Sequence, residues 1–299
     1  MTRGFRFGLV SNDVLAGAQW RELARRAEAL GYSALLSGDH LGQQAALARA
    51  VAAAAVTSTL QVGTYVINSS FHLPLRLAQE AATVADLTGG RLELGLGSGW
   101  SRPEFELLGV PYQAHATRAA RLESAIMVMK RAWAGEITLA AGGREIPAVP
   151  ALGRPPPLLI GGYGDAVLSV AARHADIVAL TSALKAGEGW QAASASAQAI
   201  GERIQFLRAA AAGRSGELEI SVCPGVIVTE AGAAVTAKVA AIRGVPPQLV
   251  ADSPFALIGS CGELADRMRA LRERLGITYF VVPADAVSDF APVVAELAG

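Results

Sequence analysis

Short apolar runs alternate with amphipathic stretches along almost the whole of this chain, and few folds accept that rhythm. Residues 5–10 read as a strand. After them Trp20, Leu23, Ala24, Ala27 and Leu30 recur at the spacing of one helical face, and Gly31 stands where a C-terminal cap belongs. Residues 32–37 read as the second strand, 45–56 as an alanine-rich helix and 60–67 as the third strand. Pro74 opens a helix to Leu87, proline being well suited to the first helical position, and 91–97 is the fourth strand. Strand–helix units with such short connections call for a parallel sheet, because each strand returns to the same edge through a crossover.

The second half keeps the rhythm with interruptions. A helix over 116–134 carries Leu122, Ile126, Met129 and Trp133 on one face, and 135–157, with Gly142-Gly143 and a closing run of prolines, is a long connection. Strands are expected at 158–160, 177–180, 218–228 (with Pro224 inside it) and 278–282. Helices are expected at 166–173, 190–211 and 233–243, with a loop over 181–189. Ser260-Cys261-Gly262-Glu263 has the capping-box spacing, and Leu264, Met268, Leu271 and Leu275 follow it as a helical face. No internal repeat is visible.

Eight alternating units imply an α/β fold, a single (β/α)8 TIM-barrel domain with insertions over residues 1–299. A doubly wound open sheet would want G-x-G-x-x-G after its first strand. The turn here reads Ser11-Asn12-Asp13-Val14-Leu15-Ala16-Gly17, which is not that fingerprint. A barrel also fixes where to look for chemistry, at the C-terminal ends of its strands.

Composition narrows the function class. Lys+Arg and Asp+Glu are each 26, so no net field draws the chain to nucleic acid or an acidic membrane. With 52% hydrophobic and 17% charged residues, the chain is neither disordered nor short of core-forming side chains. The longest charge-free stretch, 50–75, is broken by Thr57, Ser58, Thr59, Gln61, Gly63, Asn68, Ser69, Ser70 and Pro74, and so is no membrane span. Residues 1–10 lack the apolar run of a signal peptide, and the expected compartment is the cytoplasm. Cys223 and Cys261 make no disulfide framework, no Cys/His cluster has metal-ligand spacing, and both read as small buried hydrophobes. What remains is an enzyme or a binder of small molecules.

Three strand ends stand out. The second ends in Ser37-Gly38-Asp39-His40. A His beside an Asp at a barrel mouth can give or take a proton near neutral pH, and His40 is the one of four histidines at an expected strand end. His115 and His174 sit near helix ends and read as structural, while His72 precedes a helix and could serve either way. The fourth strand ends in Gly95-Leu96-Gly97-Ser98-Gly99-Trp100, where glycines let a flat ligand approach the backbone. Gly161-Gly162-Tyr163-Gly164-Asp165 follows a later strand and opens a helix, the arrangement of a phosphate site. A capping Asp, a packed His and two tight turns would account for the same residues without a ligand. Their convergence on one face favours the functional reading.

These motifs resemble the bacterial luciferase-like monooxygenase superfamily, and most of all its coenzyme F420-dependent oxidoreductase branch. The resemblance is carried by Gly38-Asp39-His40, by Val62-Gly63-Thr64-Tyr65-Val66, by the run from Ala85 to Gly97 with Thr88-Gly89-Gly90-Arg91-Leu92-Glu93-Leu94 at its centre, and by Leu159-Ile160-Gly161-Gly162. It covers 5–282. It implies a TIM barrel holding F420, or alternatively FMN, at the strand C-termini, with His40 as the proton donor or acceptor and Asp39 beside the ring. It implies an irregularity in the third strand, often a non-prolyl cis peptide, at Tyr65-Val66, with Asn68 the polar contact beyond it. Ser98 and Gly99 would touch the cofactor, Gly161, Gly162, Gly164 and Asp165 would form the phosphate loop, and Asp13 and Trp100 would face the substrate.

The chain also departs from the family. Sugar-phosphate dehydrogenases of this kind place a Glu after the fourth-strand glycines, where Trp100 stands here. Glu104 is near but not equivalent. The segment after His40 is short as well. An apolar substrate is therefore expected rather than a sugar phosphate. F420 implies hydride transfer to or from a small organic molecule, with a homodimer possible. FMN would imply a monooxygenase fed by a separate flavin reductase, and a non-catalytic flavin-binding relative is the third possibility. No metal is expected.

Overall fold

A computed structural model describes residues 3–141, 144–185 and 189–298. Eight parallel strands form its centre: β1 (Arg6–Ser11), β2 (Ala34–Ser37), β3 (Gln61–Thr64), β4 (Leu92–Gly97), β5 (Leu158–Gly162), β6 (Ile177–Leu180), β7 (Glu219–Val222) and β8 (Ile277–Pro283). They pair in the order β3, β2, β1, β8, β7, β6, β5, β4, and β4 returns to β3 through Val62 opposite Leu92 and Gly63 opposite Glu93. The sheet is closed. This is the TIM barrel, its strands nearly all buried because helices cover the outside and side chains fill the inside.

The surrounding helices are α1 (Gly17–Ala29), α2 (Ala46–Ala54), α3 (Pro74–Leu87), α4 (His115–Trp133), α5 (Asp165–His174), α6 (Ala197–Ala211), α7 (Cys261–Leu275) and α8 (Ala291–Leu297). The expected core faces are the observed ones: Trp20, Ala24 and Ala27 on α1, and Leu122, Ile126, Met129 and Trp133 on α4, are buried. The capping box before α7 forms, with Ser260 N donating to Glu263 Oε2 at 2.8 Å and Glu263 N to Ser260 Oγ at 3.4 Å. No helix among the described residues is long and apolar enough to cross a membrane.

Inside the barrel lies a polar cluster. The Arg6 guanidinium pairs with Glu219 at 2.5 Å and Glu93 at 2.8 Å, and Tyr279 donates its hydroxyl to Glu93 at 3.0 Å. Gly8 makes this possible, because a Cβ there would lie 2.8 Å from the Tyr279 hydroxyl.

Four elements differ from expectation. The strand expected over 218–228 breaks at Cys223-Pro224, since proline has no N–H for the ladder. Only Glu219–Val222 joins the barrel, and Gly225–Val228 turns away to pair with Ala256–Gly259. The helix expected over 190–211 begins at Ala197, where the Ser196 hydroxyl caps it by accepting from Ala199 N at 3.1 Å. Gly189–Trp190 is instead a short strand paired with Leu184–Lys185, and 186–188, part of the expected loop, lie outside the described residues. The long connection carries an exposed hairpin, Thr138–Ala141 with Arg144–Pro147, and Gly142-Gly143 lie outside the described residues. The third strand stops at Thr64 and resumes as Ile67–Asn68 against β4.

Candidate active site

The break in the third strand organises the mouth of the barrel. The Tyr65–Val66 peptide is cis. Thr64 bridges the gap with its hydroxyl, donating to Gly95 O and accepting from Gly95 N, both at 2.9 Å. Val66 then turns its side chain toward β4 and β5. A Cβ on Gly95, Gly97 or Gly161 would lie 2.9, 2.8 or 3.3 Å from a Val66 methyl. Gly97 therefore makes room for Val66, and Gly95 first for the Thr64 carbonyl, which a Cβ there would strike, packing roles where the sequence suggested space for a ligand. Gly99 has φ +78 and abuts the Asn68 amide, so it too is held by packing and by its backbone.

Asp39 ties the end of β2 to this break. Its Oδ2 accepts from Asn68 N at 3.2 Å and lies 3.3 Å from His72 Nε2, so His72 belongs to the site's framework. The Asn68 side chain is nearly buried and accepts from Ser70 N at 3.1 Å, folding the turn Ser69–Phe71. His40, half exposed, faces Trp100 edge-on with centroids 5.6 Å apart, and its Nδ1 is 2.7 Å from Glu104 Oε1. Gly38 is small because Asn12 leans on it: a Cβ would meet the Asn12 Oδ1 at 2.3 Å. Asp13 is exposed on the loop after β1, with its charge acting on the buried Arg49 guanidinium.

At the end of β5 the glycines serve different partners. A Cβ on Gly162 would strike Val167 Cγ1 at 2.5 Å, and one on Gly164 would meet the His115 ring at 2.8 Å. Asp165, at the start of α5, is paired with Arg203 of α6. His115, read from the sequence as structural, thus stands at the expected phosphate loop, whereas His174 is bound to Glu123 at 3.0 Å, away from the mouth. Burial, and then the Arg118 charge, pull the His115 pKa below the ordinary imidazole value. Arg118 itself donates from Nε to Gly99 O at 3.3 Å and so links α4 to the end of β4. Ser98 is buried, and its carbonyl accepts from the Ser70 hydroxyl at 3.5 Å.

The structure gathers Asp39, His40, Val66, Asn68, Ser98, Gly99 and Trp100 at the C-terminal ends of neighbouring strands, with the Gly161–Asp165 turn on the adjacent strand β5. Tyr65 is half-buried and packs against the interior cluster that includes Leu36, Leu159 and Val281, and desolvation holds its phenol well above its ordinary pKa. The half-buried thiol of Cys223, at the end of β7, is pushed up to about 11 by desolvation and is no nucleophile at neutral pH. From the sequence, Glu104 stands only near a family carboxylate and is not equivalent to it, His115 reads as structural and Arg203 does not stand out. Pro103 ahead of Glu104 was a usable signal, since it marks the start of the short helix Arg102–Leu107 that carries the carboxylate.

Residues 9–273 match the luciferase-like monooxygenase family. The chain belongs to that family. This luciferase-like protein is 32% identical over 169 residues to an F420-dependent glucose-6-phosphate dehydrogenase of Beutenbergia cavernae, covering 52% of this chain and 50% of that one. It is 29% identical over 140 residues to an FMNH(2)-dependent dimethylsulfone monooxygenase of Pseudomonas putida, covering 42% and 38%. The matched stretches thus span half or less of these curated relatives. Among solved structures, an F420-dependent secondary alcohol dehydrogenase in complex with an F420–acetone adduct aligns over 99% of both chains with TM-score 0.77 and 15% identity, a likeness of fold. The family's oxidoreductases thus include both F420 and FMN users.

Proposed function

We propose that this protein is an F420-dependent oxidoreductase that transfers hydride between the deazaflavin and a small apolar organic substrate, with His40 handling the proton. The observation that carries the reading is the pairing of Asp39 with the third-strand break while the adjacent His40 stays half exposed at the mouth. Asp39 is anchored through its carboxylate, and His40 is held at Nδ1 by Glu104 with its ring still half exposed.

The residues at the end of β5 fit the phosphate of such a cofactor. The ten-residue α5 is opened by Gly164 with no side-chain cap, so its first-turn amides are open to an anion. Arg203 and His115 stand beside them, one charged and one able to donate a hydrogen bond. The buried Ser182 hydroxyl, two residues past the end of β6, has no partner among the described residues, and Thr181 N donates to Gly162 O at 3.2 Å. When bound, the deazaflavin would supply a centre that accepts or gives a hydride, an electron pair. His40 takes the hydroxyl proton of an alcohol being oxidised, or returns it to a carbonyl being reduced. Val14, Leu41 and Trp100, on the loops after β1, β2 and β4, are exposed apolar side chains that would suit an apolar substrate.

His40→Asn tests the assignment. Asparagine keeps similar size and some hydrogen bonding but does not titrate. F420 affinity should stay within about tenfold, about 1.4 kcal/mol, while turnover falls on the order of 10²–10⁴-fold. Fluorescence titration and steady-state rates on one preparation measure both. Near-normal turnover in the variant would end the proton-transfer role. A homodimer would be consistent with the reading but is not needed for it.

A further inference from the structure

The short helix Arg102–Leu107 carries two glutamates in opposite situations. Glu106 is 65% exposed and pairs at 3.8 Å with Arg102 on the same helix, a solvent-side contact. Glu104 is 16% exposed and turned inward, and its Oε1 is 2.7 Å from His40 Nδ1. Among the described residues no Lys or Arg forms a salt bridge with it. A carboxylate so placed has the imidazole as its counterpart.

The helix that presents it is firmly seated. Phe105, next to Glu104, is completely buried and meets Phe71 edge-on at 4.7 Å and Tyr112 at 5.1 Å. Phe71 ends the turn that Asn68 caps, the same turn that Asp39 fixes through Asn68 N. The two residues of the Asp39-His40 pair are thus held by one connected framework, Asp39 from the third strand and His40 from the helix after β4.

Resting on His40 as the proton-handling group, we propose that Glu104 is its positioning residue. The carboxylate accepts from Nδ1–H, fixes the imidazole in that tautomer and leaves Nε2 as the basic nitrogen toward the substrate. An acidic partner on one ring nitrogen decides which nitrogen carries the proton, sets the ring's orientation and steadies the imidazolium that forms when Nε2 takes a proton. The proton's route is then defined, from substrate hydroxyl to Nε2, with Nδ1–H kept throughout. Trp100 follows the fourth-strand glycines here, and the carboxylate that addresses the histidine, Glu104, stands in the first turn of the helix Arg102–Leu107.

The test needs neither substrate nor cofactor for its first part. Protein labelled with ¹⁵N-histidine, at a pH where His40 is neutral, should show His40 as the Nδ1–H tautomer. Glu104→Ala should shift it to the Nε2–H form that free imidazole side chains prefer, while Glu104→Gln, which still offers a carbonyl oxygen, should largely keep Nδ1–H. With F420 and a substrate, Glu104→Ala should lower kcat on the order of 10–100-fold, less than loss of the base itself, with cofactor affinity unchanged within about threefold. Glu104→Gln should recover part of that loss. Unchanged melting temperatures exclude unfolding as the cause. A wild-type His40 in the Nε2–H tautomer, or one whose tautomer ignores Glu104→Ala, overturns the proposal. If the tautomer responds but the wild-type protein does not turn over F420, the failure belongs to the functional reading and the role of Glu104 stands.

Discussion

At Gly162 a hydrogen stands where a Cβ would lie 2.5 Å from Val167 Cγ1, one turn into α5. Any side chain there must push that helix or bend β5. Gly162→Ala should therefore destabilise the fold by about 1–3 kcal/mol, as overpacking of a tight contact does. A second change, Val167→Ala, should restore most of the loss. Urea unfolding of both variants measures this, and equal stability of Gly162→Ala and wild type would show that the contact relaxes freely. The residue scale is where the sequence was least legible. Glycines in a row after a strand announce close approach, but not what approaches. Gly97 and Gly161 are approached by Val66 and Gly95 by the Thr64 carbonyl, partners about 30 or more positions away that no local pattern reveals. His40 and Asp39 could be found because they sit at a strand end, whereas Glu104 reaches His40 across 64 residues.

Among the elements, α1 and the start of β3 are joined by one carboxylate oxygen. Glu28 Oε1 accepts from Thr59 N at 2.6 Å, Ser58 N at 2.8 Å, Leu60 N at 3.0 Å and the Thr59 hydroxyl at 3.0 Å. Those bonds, the Thr59 amide foremost, hold its pKa down at about 2 against an ordinary 4.5, although desolvation opposes them. Because the folded value is the lower one, this stabilisation is complete above about pH 4.5 and is lost as pH falls toward 2. Glu28→Gln should then cost about 1 kcal/mol at pH 7, allowing for solvent screening, and the difference from wild type should shrink on acidification. Thermal melting at several pH values reads it directly, and a difference independent of pH would contradict the account. Helices and barrel strands were mostly legible because periodicity is local. The exceptions have local causes of their own: Pro224 ends one strand's ladder, and Ser196 caps a helix that hydropathy alone would have begun at Trp190.

For the whole molecule, the sheet closes from β4 to β3 into a barrel. The interior beneath is occupied by Arg6, Glu93, Glu219 and Tyr279, and burial raises the Glu93 pKa even against the pull of Arg6. A ligand entering from the loops therefore meets a filled floor, with the Val66 break above it, His40 to one side and the uncapped α5 to the other. The fold follows from eight alternating units, and with it the strand ends proposed as the site. The cofactor does not, because the features that bind a phosphate and a flat ring serve FMN as well as F420. The most direct measurement is a parallel titration of the protein with F420 and with FMN, followed by fluorescence. The account predicts saturable F420 binding, with FMN binding much more weakly. Tight FMN binding with no measurable F420 binding would contradict it and leave a flavin-dependent monooxygenase in its place.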